Sequence, residues 1–375
     1  MRIGIDVRYL SHGLVGGIHT YLKSLIPHLV DGAREHQFYL YADTKRPFEL
    51  DSLPDHVTLR LLPYHNPVSS IYNDLFMRNQ IAKDHLDLVH FPASYGFGPA
   101  GLPTVITLQD EINVLPLKQI IRSHRKHVRT VTMMTYLHFV TQAALRRADK
   151  VITVSEYSRQ QIARYSGLSL DKLVVIPHAT PPDIIRIEDP DELAEVRNRL
   201  NLKRPFVLAE AFKNPGVLVR AWHLLSDSQR EQYEIVFFSR SPDVLPVVHE
   251  AIRSGFARLM VRPARRDLSA MFSMAEAFVF PSWIEGFGIP LLEAMTCGAP
   301  IIASDRGSIP EVAGDAALII DAEDQDRLAE YLNQIFTQPQ VREELQNRGF
   351  KRAEQFTWPR IIQQVMTTYQ QVVNQ

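Results

Sequence analysis

Short apolar runs rich in β-branched residues alternate with amphipathic stretches along nearly the whole chain, and this rhythm admits few folds. Strands that keep one direction need a crossover between them, usually a helix, so the expected product is a parallel sheet wrapped by helices, an α/β fold. In the first half, strands are expected at Arg2–Val7, Gln37–Tyr41, Thr58–Leu62, Leu88–Phe91, Thr104–Leu108, Val151–Val154 and Leu173–Ile176. The second half repeats the pattern at Phe206–Leu208, Glu234–Phe238, Arg258–Val261, Ala277–Phe280, Pro300–Ala303 and Ala317–Ile320. A chain of 375 residues is long for one hydrophobic core, which predicts two domains with a cleft between them. The stretch IPHATPPDIIRIEDPDE, Ile176 to Glu192, holds four prolines and reads as the linker. FTWPRIIQQVMTTYQQ, with Thr357 as N-cap, Pro359 in the first turn and apolar residues at helical spacing, reads as a packed helix. The expected organisation is residues 1–180, residues 181–355, and a helix within 356–375 that packs back on the N-terminal domain.

Composition narrows the function. Hydrophobic residues make up 45% and charged residues 22%, and no run approaches a membrane span. MRIGIDVRYL carries Arg2, Asp6 and Arg8 within an apolar alternation, so it reads as a first strand rather than a signal peptide. Cys297 is the one cysteine, which excludes an internal disulfide and a multi-cysteine metal site and agrees with a reducing cytosol. A net charge of −1 argues against a globally basic nucleic-acid binder.

The densest chemical signal is EGFGIPLLEAMTCGAP, Glu285 to Pro300. It follows the apolar run FVFPSWI, and Pro290 can open a helix that ends before Gly298. The glycines then sit where a parallel strand passes into a helix, the place where open α/β sheets bind polar and anionic ligands. Gly286 and Gly288 leave room for close backbone approach, and Glu293, about one turn into the helix, can lean back toward the same pocket. Each carboxylate can accept hydrogen bonds from the two hydroxyls of a sugar or ribose diol. Spacing alone also allows a solvated Glu285 and a Glu293 that serves only local structure. A dinucleotide-binding loop would need a third small residue after its two glycines. GFGIPLL has Leu291 there and HGLVGGI has no Gly-x-Gly, which disfavours nicotinamide chemistry.

The segment FVFPSWIEGFGIPLLEAMTCGAPIIASDRGSIPEVAGDAALIID closely resembles glycosyltransferase family 4 of the GT-B fold, whose signature is two glutamates separated by seven residues around a GFG-like core. IGIDVRYL with GGIHTYL, VITVSEYSR and FTWPRIIQQV are similar to further landmarks of that family, so the resemblance spans most of the chain. It implies two Rossmann-like doubly wound domains, the N-terminal one for the acceptor and the C-terminal one for a nucleotide sugar. It gives Glu293 the ribose hydroxyls, places Glu285 beside the donor sugar, and assigns the amides of Phe287, Gly288 and Ile289 to that sugar's hydroxyls. Lys213, in AEAFKNPG, corresponds to the lysine that neutralises the leaving diphosphate, where a fixed cation is worth most. An arginine that many relatives carry just before it, or slightly upstream, is replaced by Phe212 or Leu208; Arg262, Arg265 and Arg266 of VRPARRD are candidates for the missing charge, or form a solvated basic loop.

In the first half, Gly16 and Gly17 of LVGGIHTYL precede a helix whose amides and dipole suit a diphosphate, although a plain turn would look the same. His19 follows them, more naturally as a surface residue. TVITLQDEINV matches the strand end where relatives often carry a His–Asp pair. Here Gln109 can accept a sugar hydroxyl but cannot titrate, so any general-base role of that histidine is lost, while Asp110 and Glu111 remain open. Between Lys118 and Lys150, eight Lys or Arg (118, 122, 125, 126, 129, 146, 147 and 150) stand against one acid, Asp149. One face of that stretch suits an anionic membrane surface or a lipid-diphosphate acceptor, or is simply a solvated helix face.

The expectation is thus a retaining hexosyltransferase using a nucleotide sugar, UDP-glucose or a similar UDP-sugar, and acting on a glycan or lipid-linked acceptor in polysaccharide or glycoconjugate synthesis. Its catalytic residues are Glu285, Lys213 and Asp110; its substrate-binding residues are Gly16, Gly17, Gln109, Arg262, Phe287, Gly288, Ile289 and Glu293. Neither a metal nor another cofactor is expected, since the histidines lack ligand spacing and lysine with helix dipoles can stand in for a cation. Nucleic acid is not an expected partner, and the expected location is the cytoplasm, with peripheral contact on the membrane's cytoplasmic face. Two rivals stand: a non-hydrolysing sugar-nucleotide epimerase, and an inactive nucleotide- or glycan-binding partner subunit.

Overall fold

The computed structural model describes residues 1–11, 17–45, 53–64, 73, 77–123 and 128–375. The chain forms two compact units, Met1–His178 with Trp358–Gln375, and Ala179–Thr357. These breaks follow 178 and 357, where the sequence suggests 180 and 355. At the second break Phe356 stays with the second unit, set edge-on to Phe287 with ring centres 5.8 Å apart.

The first unit is a parallel sheet of seven strands, β1 (Arg2–Asp6), β2 (Gln37–Asp43), β3 (Val57–Leu62), β4 (Leu88–Phe91), β5 (Thr104–Thr107), β6 (Lys150–Thr153) and β7 (Leu173–Val175), in the order β3-β2-β1-β4-β5-β6-β7. The second has six, β8 (Phe206–Glu210), β9 (Glu234–Ser239), β10 (Ala257–Val261), β11 (Ala277–Phe280), β12 (Ile301–Ser304) and β13 (Ala317–Ile320), in the order β10-β9-β8-β11-β12-β13. Every residue of β4, β5, β11 and β12 is buried. Helices cover both faces of a parallel sheet, so its strands are apolar throughout rather than alternating.

In each unit the chain builds outward from its first strand, then returns to that strand's other side. β4 pairs with β1, and β11 pairs with β8. Such a reversal parts the loops at the carboxyl ends of the two central strands and opens a crevice there. One strand end differs from the sequence expectation in a way that matters: β8 continues past Leu208, with Glu210 paired to Phe238. A carboxylate at a strand end reads as loop, yet its backbone is still in the ladder. Residues 176–189 form neither helix nor strand, and Asp189 then caps the helix Pro190–Arg199 by accepting the amide of Asp191 at 3.0 Å.

The last helix, Trp358–Val373, belongs to the first unit. Trp358, Ile361, Ile362, Val365, Tyr369 and Val372 form its buried face, and Trp358 stacks on His28 of the helix Gly17–Gly32 with ring centres 4.6 Å apart. A buried polar relay anchors it. His90 on β4 meets the Tyr369 hydroxyl through Nδ1 at 2.6 Å and Thr107 Oγ1 through Nε2 at 2.7 Å. Thr107 also bonds Tyr21, whose ring lies edge-on to His178 at 4.7 Å.

Burial lowers the pKa of both His90 and His178 from 6.5 to about 3. Between these values the unfolded chain binds protons that the folded rings refuse, so stability falls as pH drops from about 6.5 toward about 3. His90→Gln should lower the melting temperature near neutral pH but flatten its decline toward about pH 4.5, as read by calorimetry across that range. A decline parallel to that of the parent protein would contradict this account of His90.

Candidate active site

In the second unit, the loops after β8 and β11 flank the strand reversal, and each delivers one charged residue. Lys213 follows β8, and its Nζ lies 2.6 Å from Glu285 Oε1, which follows β11. The lysine loop is pinned by Asn214, whose backbone is left-handed at φ 52°. The Asn214 amide donates to the carbonyls of Pro281 at 3.1 Å and Ala322 at 2.7 Å. One side chain thereby joins the loops after β8, β11 and β13. Ser282 donates to Glu285 Oε1 at 2.8 Å, so the carboxylate is fixed from two sides.

Gly288 sits at φ 94° immediately before the helix Ile289–Cys297, with Pro290 in its first turn. That conformation favours glycine, because a Cβ raises the energy of a left-handed residue. The first amides of a helix lack intrahelical acceptors, and Ile289 opens this one. Phe287 is buried. Glu293, one turn on, is also buried, and its Oε1 accepts from Arg265 at 2.8 Å. Arg265 reaches Asp183 at 3.1 Å with the same nitrogen.

The electrostatics follow from this packing. Burial opposes the Lys213 charge, but the carboxylates of Glu285 and Glu210 outweigh it and hold the ammonium pKa above the usual lysine value. Burial raises Glu293 against the opposing pull of Arg265. It also raises Glu210, which lies within the field of Lys213, Glu285, Arg240 and Glu293. Cys297 is a buried thiol pushed up to about 12 by desolvation, an inert packing residue.

The candidates for the missing cation divide. Arg262, expected to bind substrate, has its Nε on the carbonyl of Arg240 at 2.8 Å and its own backbone at φ 50°. It thus braces the residue after β9 instead of meeting either glutamate. Arg266 pairs with Glu192. Arg265 is the member of the trio that meets an acid of the motif. Of the two positions where the absent arginine would stand, Phe212 is exposed and Leu208 is buried.

The first unit holds the other candidates. Gly17 opens the helix Gly17–Gly32 with nothing within 4 Å of where a Cβ would be, while Gly16 lies outside the described residues. Asp6 and Arg8, at the end of β1, form a buried two-pronged pair at 2.9 and 2.7 Å. Gln109, at the end of β5, is buried, and neither atom of its amide has a partner among the described residues. Asp110 accepts the Ile112 amide at 2.9 Å and so shapes its own turn. Glu111 is the more buried acid; desolvation raises its pKa, and Oε2 has no hydrogen-bond partner among the described residues. Among the described residues, no three His, Cys, Asp or Glu are grouped to hold a metal ion.

Sequence reading missed Glu210, Arg240 and Asn214. The signals were present but ordinary: an acid ending a strand, a basic residue after β9, and an asparagine before a proline, the last being a recognised loop pattern.

Residues 15–184 match the family Glycosyltransferase Family 4, and residues 207–352 match Glycosyl transferases group 1. O-antigen chain mannosyltransferase B of Escherichia coli is 32% identical over 243 residues, which are 62% of this chain and 64% of that enzyme. The chain thus matches just under two thirds of that relative's length. Among solved structures, sucrose-phosphate synthase of Thermosynechococcus elongatus has a TM-score of 0.74 at 20% identity, covering 99% of this chain and 98% of its own. HepE of Anabaena, solved with UDP-glucose, has a TM-score of 0.70 at 17% identity, covering 98% and 99%. At these identities the structures speak for the fold, which is GT-B.

Arg265→Ala leaves Glu293 buried without its partner and should destabilise the second unit by about 1–3 kcal/mol, less than for a fully buried pair because the guanidinium is partly exposed. Glu293 would then titrate higher still. Its folded pKa lies above its unfolded value, so the deficit should grow as pH rises through that pKa and shrink in acid. Urea titrations at about pH 5 and about pH 8 measure the difference.

Proposed function

The chain belongs to the family 4 glycosyltransferases, and from that premise we propose that it transfers a hexosyl group from a nucleoside diphosphate sugar to an acceptor hydroxyl. UDP is the proposed carrier, retention the proposed stereochemistry, and a glycan or lipid-linked sugar the proposed acceptor, in polysaccharide or glycoconjugate synthesis. The observation that carries this reading is the contact between Lys213 and Glu285 at the strand reversal, with Glu293 on the adjoining helix. The O-antigen mannosyltransferase supports a hexose and a polysaccharide product; the UDP-glucose bound by HepE supports the carrier.

In this reading Glu293 accepts the ribose hydroxyls, with Arg265 fixing one oxygen and leaving the other for the diol. The amides of Phe287, Gly288 and Ile289 take the hydroxyls of the donor sugar. Lys213 meets the diphosphate as its bridging oxygen departs. Charge grows on that phosphate as the glycosidic bond breaks, and an ammonium already fixed there costs no reorganisation. The departing phosphate takes the acceptor's proton on the same face, so no carboxylate nucleophile is required and Glu285 positions and stabilises. Lysine and helix dipoles do the neutralising, with no metal in the scheme. In the first unit Gly16 and Gly17 contact phosphate, Gln109 accepts a sugar hydroxyl through its amide oxygen, and Asp110 is the proposed catalytic acid beside the reacting sugar.

The same reading places the first unit against an anionic membrane surface. The helix Val128–Arg147 carries Arg129, Arg146 and Arg147 and no acid. Val128, Met133 and Phe139 project from it as exposed apolar side chains. Arg125 and Lys126 lie outside the described residues. Apolar side chains among cations suit a headgroup layer. No described helix is long and apolar enough to cross a membrane.

Two measurements test these proposals. Glu293→Ala should weaken UDP binding by about 10- to 100-fold in calorimetry, the worth of a charge-assisted hydrogen bond. Glu285→Ala should leave UDP binding near the parent's and abolish sugar transfer. If both variants bound UDP like the parent, the role given to Glu293 would fall. For the membrane, Phe139→Asp combined with Arg129→Glu should lose co-sedimentation with phosphatidylglycerol vesicles while transfer to a soluble acceptor persists; undiminished sedimentation would remove that helix from the account.

A further inference from the structure

Glu285 is held by more than its partners in the motif. The loop that follows β12, residues 305–308, lies directly against its backbone. Gly307, at φ 61°, approaches so closely that a Cβ there would stand 2.7 Å from the Glu285 carbonyl oxygen and 2.9 Å from its nitrogen. Those neighbours are backbone and cannot swing aside, so a side chain at 307 would have to move Glu285 itself. Ser308 then takes the Glu285 carbonyl twice, through its amide at 3.2 Å and its hydroxyl at 3.0 Å.

A second line of hydroxyls fixes the carboxylate. Ser304 Oγ donates to the Ser282 carbonyl at 2.6 Å, and Ser282 Oγ donates to Glu285 Oε1 at 2.8 Å. Ser282, Ser304 and Ser308 are all buried. Lys213 lands on the same Oε1, so in the reading proposed above Oε2 is the oxygen left for a ligand hydroxyl. Local strand and helix structure does not require these contacts, since β12 is already paired on both sides.

We infer that the loop of residues 305–308, acting with Ser304 at the end of β12 and with Ser282, is a positioning clasp for Glu285: Gly307 permits the approach, Ser308 fixes the backbone, and Ser282 holds the carboxylate oxygen that pairs with Lys213 and leaves the other for substrate. Ser282, Gly307 and Ser308 are therefore positioning residues for the transfer proposed above, and the inference rests on that reading for its catalytic consequence. A misplacement of an ångström or less in such a group lowers turnover without changing what binds.

The test uses the full chain and two readouts. In the first, lysines are reductively methylated with 13C and the titration of Lys213 is followed by NMR, which reports its pairing with Glu285 whatever the enzyme does. Ser282→Ala and Gly307→Ala should both move the Lys213 titration toward the ordinary lysine range, and Ser282→Thr, which keeps the hydroxyl, should restore it. In the second, both alanine variants should lose turnover by about tenfold or more, with KM for the nucleotide sugar and Kd for UDP changed less than about threefold. Should Gly307→Ala fail to fold, Ser282→Ala carries the test, since it only removes an oxygen. An unmoved Lys213 titration in the alanine variants, or turnover equal to the parent's, overturns the clasp. A shifted titration in a protein whose parent form consumes no nucleotide sugar would support the clasp and reject the transferase reading.

Discussion

A 2.6 Å ion pair between Lys213 and Glu285 joins the loops that part at the reversal of the second sheet. A lysine left alone at a half-buried strand end would lose charge, because desolvation favours the neutral amine. Glu285 and Glu210 reverse that tendency. The pair therefore does two things with one contact: it keeps a cation where the sheet topology offers a ligand crevice, and it fixes the carboxylate that the serines then aim. Asn214 makes the arrangement rigid from below, since its amide ties the β8 loop to the carbonyls of Pro281 and Ala322. Topology sets the place, and a few polar contacts set the geometry.

Most of the fold was legible because a parallel sheet writes itself into sequence as whole apolar strands. AFVF and TVIT are buried on both faces and sit between turn residues, so strand positions followed from burial alone. The motif residues Glu285, Gly288 and Glu293 were legible for another reason: glycines at a strand-to-helix bend and two acids flanking a helix start are rare together. What escaped were contacts that depend on which strands become neighbours. Asn214 reaches loops 67 and 108 residues away, and Gly307 is pressed on Glu285 only because β12 lies beside β11. Arg262, Arg265 and Arg266 look alike in sequence. Arg262 leaves the end of β10 in a left-handed conformation and meets a carbonyl, while Arg265 and Arg266, successive positions at the start of a helix, project in different directions to a buried acid and to Glu192.

The first unit depends on a piece of chain that arrives late. His90 and Tyr369, 279 residues apart, close the sheet against the helix Trp358–Val373. Joining such distant residues costs loop entropy, although the cost grows only logarithmically with length, and a second unit already folded between them shortens the effective loop. The relay also explains why a histidine is tolerated at a fully buried strand position. Both ring nitrogens have partners, and burial keeps the ring neutral, so no charge is stranded in the core.

Charge in the second unit is distributed differently from the simple picture of one acid and one base. Glu210, Glu285 and Glu293 interleave with Lys213, Arg240 and Arg265, and the field at Glu210 includes all of these except Arg265. Phe212 or Leu208 stands where the resemblance places a cation, and the basic residues in the field of these acids are Lys213, Arg240 and Arg265. Arg262 holds the Arg240 carbonyl through its Nε. Burial raises both Glu210 and Glu293, which lets these acids take up protons more readily than exposed ones. An arriving diphosphate would push them further in that direction, since a nearby negative charge disfavours a carboxylate. The acids thus soften their own repulsion as an anion enters, and Lys213, paired with Glu285, is left to face it.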